Sequence, residues 1–184
     1  GLAASVANPT LFQTVNIDKA SISGFEMKGS MAWGTFAAGK LSSPFSYGRT
    51  RGTNDSNGLP LNYIEPAKLT AGVKFETSSW DLRLDVKHHA EKTLTELDSV
   101  FIPKSSTQLQ FTTPSSTTFD LSGQWRIRKD LRLNFAIVNL TDQKYWHWSD
   151  VQGLASNPVA PLLPVMDAYT QPGRHLNMSL VAEF

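Results

Sequence analysis

Cysteine is absent from the 184 residues, which removes disulfides, thiolate zinc sites and thiol catalysis together. No stretch approaches the roughly 20 consecutive apolar residues that a membrane-crossing helix requires. Insertion as a helix is excluded on that ground, but insertion as strands is not. Gly1 to Ser5 lack the basic start and apolar core of a secretory signal. Neither sign of charge predominates, with 17 Lys and Arg against 16 Asp and Glu, so no nucleic-acid partner is expected; phosphate neutralisation needs clustered cations. Charged residues make up 18% of the chain, below the roughly 25% of soluble domains, a sign of surface facing something other than water. Glycine-rich phosphate loops and the His-Glu-x-x-His pattern are missing. No nucleophile stands beside a base. The expectation is a chain with no catalytic residue, no metal site and no enzymatic activity.

What the sequence does contain is alternation at period two. From Trp80 to Lys87, the set Trp80, Leu82, Leu84, Val86 alternates with Asp81, Arg83, Asp85, Lys87. The same register runs through Phe119–Arg128, Leu131–Val138 and His175–Phe184. Leu69, Ala71, Val73 and Phe75 mark another strand, as do Phe25, Met27, Met31 and Trp33. Phe36 to Tyr47 reads as a weaker strand, and Leu11 to Asn16 as the end of one more. Roughly eight strands result, and helical stripes are nearly absent.

The links alternate in length. Gly34-Thr35, Thr77-Ser78-Ser79 and Lys129-Asp130 read as tight turns, whereas Gly48–Glu65, Ala90–Ser116 and Thr141–Gly173 are long and rich in Pro, Gly, Asn and Ser. Short turns at one end and long loops at the other are the pattern of an outer-membrane barrel. Alternation alone leaves a soluble barrel or sandwich open, with the apolar face as its core. Three features favour the membrane. Trp33, Trp80 and Trp125 sit beside the short turns, where an interfacial girdle belongs, and Tyr145, Trp146 and Trp148 occupy the place of the second girdle. The chain also ends on an alternating strand closing with Phe184, which resembles the C-terminal signal read by the barrel assembly machinery.

Several motifs resemble those of TonB-dependent outer-membrane receptors. Asn139-Leu140-Thr141-Asp142, followed by Tyr145, is similar to the family's motif after the penultimate strand. Pro172-Gly173-Arg174, leading into the last strand, is similar to its closing motif. Ile17 to Glu26 and Leu59 to Lys68 resemble a strand start and a long returning loop of the same family. Tyr145 to Leu154 most resembles receptors for haem, haemoglobin or a haemophore.

The resemblance implies an all-β, antiparallel transmembrane barrel of 22 strands, of which residues 1–184 form the C-terminal portion, without plug, TonB-binding segment or N-terminal strands. It implies a location in the bacterial outer membrane, contact with its lipid, and coupling to the TonB complex through the missing part. Haem is implied as a transported ligand, with no intrinsically bound cofactor. A ferric siderophore as cargo, or a self-contained eight-stranded barrel with an adhesive or structural role, remain alternatives. Motifs that haem receptors carry around a ligand-binding loop are missing, since Asn8-Pro9-Thr10-Leu11 matches one only superficially.

Among individual residues, His147 lies between Trp146 and Trp148, where imidazole could ligate haem iron and indole could contact the macrocycle. The competing reading is a histidine in an interfacial belt. His88 and His89 are further candidates, but adjacent strand positions face opposite ways, which argues against a shared metal. Asp81, Arg83, Asp85 and Lys87 read as a charge ladder on the lumen side, not as an acid-base pair.

Overall fold

The computed structural model describes residues 19–36, 39–98, 111–154 and 166–183. Its elements are β1 (Ala20–Phe36), β2 (Gly39–Asn54), β3 (Leu59–Pro60), β4 (Lys68–Glu76), β5 (Trp80–His89), β6 (Ser116–Arg128), β7 (Leu131–Val138) and β8 (His175–Ala182), with a 3-10 turn at Leu94–Glu96 and a short helix, α1 (Trp148–Val151). The strands form one antiparallel sheet in the order β1-β2-β4-β5-β6-β7-β8, with β3 attached to β2. Each long strand pairs with the next long strand in sequence, so hairpins alone build the meander. β1 and β8 end the sheet on opposite sides.

The registers sort the side chains into two faces. Val73 opposes Leu84, which opposes Leu121, which opposes Ile137, which opposes Leu176. An apolar row therefore crosses five strands on one face. The neighbouring row carries Lys74 opposite Arg83 and Arg83 opposite Ser122. In a soluble sandwich the apolar row would be covered. Here no element covers it: Val73 is 50%, Leu84 45% and Leu176 59% exposed, and Leu121 and Ile137 between them are half-buried by their neighbours in the sheet. Lipid is the solvent that makes such a face favourable, because each large apolar side chain gains roughly 2 kcal/mol on leaving water. Backbone polar groups are satisfied between strands, the condition for crossing hydrocarbon.

The polar face pairs its own charges. Arg83 grips Asp85 with two nitrogens at 2.6 and 2.8 Å, Lys87 reaches Asp120 at 2.5 Å and Lys74 reaches Glu76 at 2.7 Å. The expected charge ladder is thus a set of neighbouring ion pairs. At the turn end, Trp80 opposes Trp125, Phe75 packs on Trp80 with centroids 5.5 Å apart, and the Trp33 indole N–H donates to Ser43 Oγ at 2.8 Å. All three tryptophans stay exposed, as an interfacial girdle should.

Three sequence expectations need correction. Gly34-Thr35 is not the first turn: β1 continues to Phe36, which pairs with Gly39. Gly34 instead follows a bulge at Trp33, with φ of +114° that glycine adopts freely. Gly48–Asn54 is not loop but the outer end of β2, paired with Ala20–Glu26. Its polar sequence hides the strand because this end lies beyond the apolar band, where alternation has no function. Finally, Trp148 belongs to no girdle, since it is 2% exposed. It packs with Leu97, Val151 and Met166, and Phe111, Trp146 and Leu154 lie against them. This buried apolar cluster sits among the loops because the apolar face of the sheet is turned outward. Leu11–Asn16 and Phe184 lie outside the described residues.

Candidate functional site

The long-loop end of the sheet is organised by β5, by residues 90–98 after it, and by the segment from Asn139 to Leu154. Asn139 and Asp142 both have left-handed backbone, with φ of 54° and 53°, a region that Asn and Asp tolerate better than other side-chain-bearing residues. The Asn139 backbone N–H donates to Asp120 Oδ1 at 2.8 Å. Its side-chain amide donates to the carbonyls of Gln143 at 2.9 Å and Pro172 at 3.4 Å, while its Oδ1 accepts from the Gln143 N–H. Asp142 Oδ1 accepts from the Arg174 N–H at 2.7 Å. A Cβ on Gly173 would stand 2.6 Å from that oxygen, so any other residue there would push the Asp142 carboxylate off the Arg174 N–H. Leu140 donates its N–H to the Phe119 carbonyl. The two motifs read from sequence, 139–142 and 172–174, are therefore one lock that fixes both ends of the last long loop.

From this lock the chain runs to Tyr145, Trp146 and His147. Tyr145 stacks on His89 with centroids 6.1 Å apart and 16° between planes. His147 meets both edge-on, 5.1 Å from His89 and 5.5 Å from Tyr145. His89 shares the polar face with Asp85 and Lys87, so the cluster stands at the outer mouth of the lumen wall. The His89 Nδ1 is buried and has no hydrogen-bond partner among the described residues. Burial, then the nearby Asp120 carboxylate, holds the Tyr145 phenol above its ordinary pKa, against the opposing pull of Lys87.

The remaining candidates fall elsewhere. His88 points to the other face, with Nδ1 2.9 Å from Thr117 Oγ1. The remaining histidine, His175 at the start of β8, is no part of the cluster: its Nδ1 lies 2.8 Å from the Gly173 carbonyl. Trp148 donates its indole N–H to the Asn62 carbonyl at 2.5 Å, and Trp146 donates to the Met166 carbonyl at 2.8 Å. Both indoles thus serve the loop scaffold. The same Asn62 accepts the Asp98 N–H on its side-chain oxygen at 2.7 Å, tying three loops to one residue. Lys92, 3% exposed, donates from Nζ to the Ile64 carbonyl at 2.7 Å and lies 5.3 Å from the Trp148 ring. Burial pulls its pKa below the ordinary lysine value, partly offset by Glu96 and Glu65.

The geometry limits the chemistry. The space bounded by Glu65, His89, Thr113, His147 and Trp148 is about 10 Å³, too small for more than one water. With the two imidazoles in contact, no porphyrin fits between them. As arranged, the cluster can offer an arriving ligand one imidazole, not a pair on opposite sides of it. No group of three or more His, Asp or Glu converges as a metal site among the described residues. Sequence reading found His89 and His147 separately but not their meeting, which depends on folding residues 58 positions apart; Asn62 and Lys92 carried no signal.

Comparison with known proteins agrees with the sheet. Residues 2–140 match the family described as TonB dependent receptor-like, beta-barrel. Hemoglobin-haptoglobin-binding protein A of Haemophilus influenzae is 25% identical over 94% of this chain and 18% of its own length. Heme/hemopexin utilization protein C of the same organism is 31% identical over 74% of this chain, again 18% of its own length. The chain therefore spans under a fifth of these relatives. Among solved structures, the copper transporter OprC superposes with a TM-score of 0.64 at 18% identity, covering 90% of this chain and 24% of that one; at that identity the likeness concerns the fold. With more than two thirds of its residues matched, this chain belongs to the TonB-dependent receptor-like β-barrel family, a family of outer-membrane receptors and transporters, not of enzymes.

Proposed function

We propose that the parent protein is a receptor in the bacterial outer membrane that takes up haem, or haem carried by a haemoglobin-like or haemophore protein. Residues 1–184 are the C-terminal portion of its barrel. The observation that carries this reading is the convergence of His89, Tyr145 and His147 at the lumen mouth. An imidazole and a phenol there suit haem iron as cargo, and relatives named for haemoglobin and hemopexin support the choice. Among the described residues β1 and β8 end the sheet without pairing to each other, which supports a wall segment of a larger barrel over a self-closed eight-stranded one, because lipid does not tolerate open edges. Lipid contacts the apolar face, the assembly machinery reads the C-terminal sequence with its closing Phe184, and the TonB complex acts through portions beyond this chain.

The test is growth. A host stripped of its own iron receptors and given the parent protein is expected to grow on haem or haemoglobin as sole iron source. Growth on a ferric siderophore alone would replace this reading with that of a siderophore receptor.

A further inference from the structure

His89 and Ser116 oppose each other as the outermost rung of the β5–β6 ladder. Each carries a buried polar atom with no partner among the described residues, His89 Nδ1 and Ser116 Oγ. Ser116 is only 5% exposed. Buried donors and acceptors are nearly always paired, because a bare one gives up its hydration for nothing. These two are complementary, since an imidazole N–H donates to a hydroxyl oxygen. The next rung shows that such a pair is within reach: His88 Nδ1 lies 2.9 Å from Oγ1 of Thr117, the residue directly opposite it.

The two ring nitrogens of His89 differ in their surroundings. Nδ1 is turned into the protein, whereas Nε2 is not buried and has no hydrogen-bond partner among the described residues. Tyr145 lies nearly parallel to the ring and His147 meets it edge-on, so its neighbours restrict its rotation. A histidine that binds a metal through one nitrogen characteristically donates the other N–H to a protein acceptor or a water, which sets its tautomer and makes it a stronger ligand. His89 has an open nitrogen on one side and a hydroxyl behind the other. His147 lacks that support. It stands on the loop at the N-terminal cap of α1, and neither of its ring nitrogens is a buried atom lacking a partner.

We propose that His89 is the imidazole that ligates haem iron, through Nε2, and that Ser116 is its positioning residue, accepting a hydrogen bond from Nδ1–H at Oγ. The inference rests on the reading of the parent protein as a haem receptor, and it chooses between two histidines that the reading leaves equal.

The full-length parent receptor in detergent is titrated with haem, affinity is read from the Soret band, and the iron–histidine stretching band of the ferrous complex is read by resonance Raman. His89→Ala is expected to abolish that band and His147→Ala to keep it. Ser116→Ala is expected to move the band to lower frequency and to weaken haem binding by about tenfold or more, and Ser116→Thr, which keeps a hydroxyl, to restore both. A band that survives in His89→Ala overturns the proposal, and this comparison stands even where Ser116→Ala fails to fold. So does a wild-type band and affinity in a Ser116→Ala protein that still shows heat-modifiable migration. Absence of haem binding by the wild type overturns the haem reading itself, and this assignment with it.

Discussion

Asn139 carries more of the outer architecture than its size suggests. Its side chain and backbone together hold Asp120, Gln143 and Pro172, and it is 1% exposed. Replacement by alanine removes the side-chain hydrogen bonds to the Gln143 and Pro172 backbone and strains a left-handed residue, for a combined cost of roughly 2–4 kcal/mol. Asn139→Gly loses the same hydrogen bonds but not the backbone ease, so it is expected to be about 1 kcal/mol less damaging. Denaturant midpoints of the parent receptor in detergent measure that order, and equal loss in both variants would remove the backbone part of the explanation. At this scale the sequence was legible as pattern but not as cause. Asn139, Asp142 and Gly173 were visible through resemblance alone, because neither left-handed backbone nor a contact across 30 residues leaves a periodic trace. His89 was half-legible: alternation put it on the face of Asp85 and Lys87, but nothing local pointed to His147.

Elements were legible where the physics is periodic. β5, β6, β7 and β8 stand close to where alternation put them, since each turns one side chain in two towards hydrocarbon. Where a strand leaves the apolar band the signal vanishes, and Gly48–Asn54 read as loop although it pairs along its whole length. The cysteine-free sequence allows a direct check of the faces. Single cysteines at Leu84 and Val73 are expected to resist a membrane-impermeant maleimide in the parent receptor, whereas cysteine at Thr70, on the polar face, reacts; equal labelling would contradict the assignment. The loops form a separate unit, packed around Trp148 and tied by Asn62. Trp148→Ala forfeits roughly 3–5 kcal/mol of packing. The expected result is cleavage of the outer loops by added protease accelerated more than tenfold, while the strands remain intact. Accelerated cleavage of the strands as well would mean that loops and sheet unfold together.

For the molecule as a whole, one sheet separates three environments. In the proposed receptor its apolar face meets lipid, its paired charges line the lumen, and its loop end gathers Tyr145, His147 and His89 where a ligand from outside would first meet the wall. Composition and turn asymmetry made the membrane class readable before any fold was known, because a barrel turns its apolar face outward and keeps its turns short on one side. The cargo was not readable in the same way, since the cluster that speaks to it is assembled from two distant segments. The most direct measurement of the central claim is haem titration of the full-length parent receptor in detergent, followed by the Soret band, for wild type, His89→Ala and His147→Ala. A ligated band in the wild type that weakens or shifts in at least one variant is the predicted result; identical spectra in all three, or no haem binding by the wild type, would contradict it.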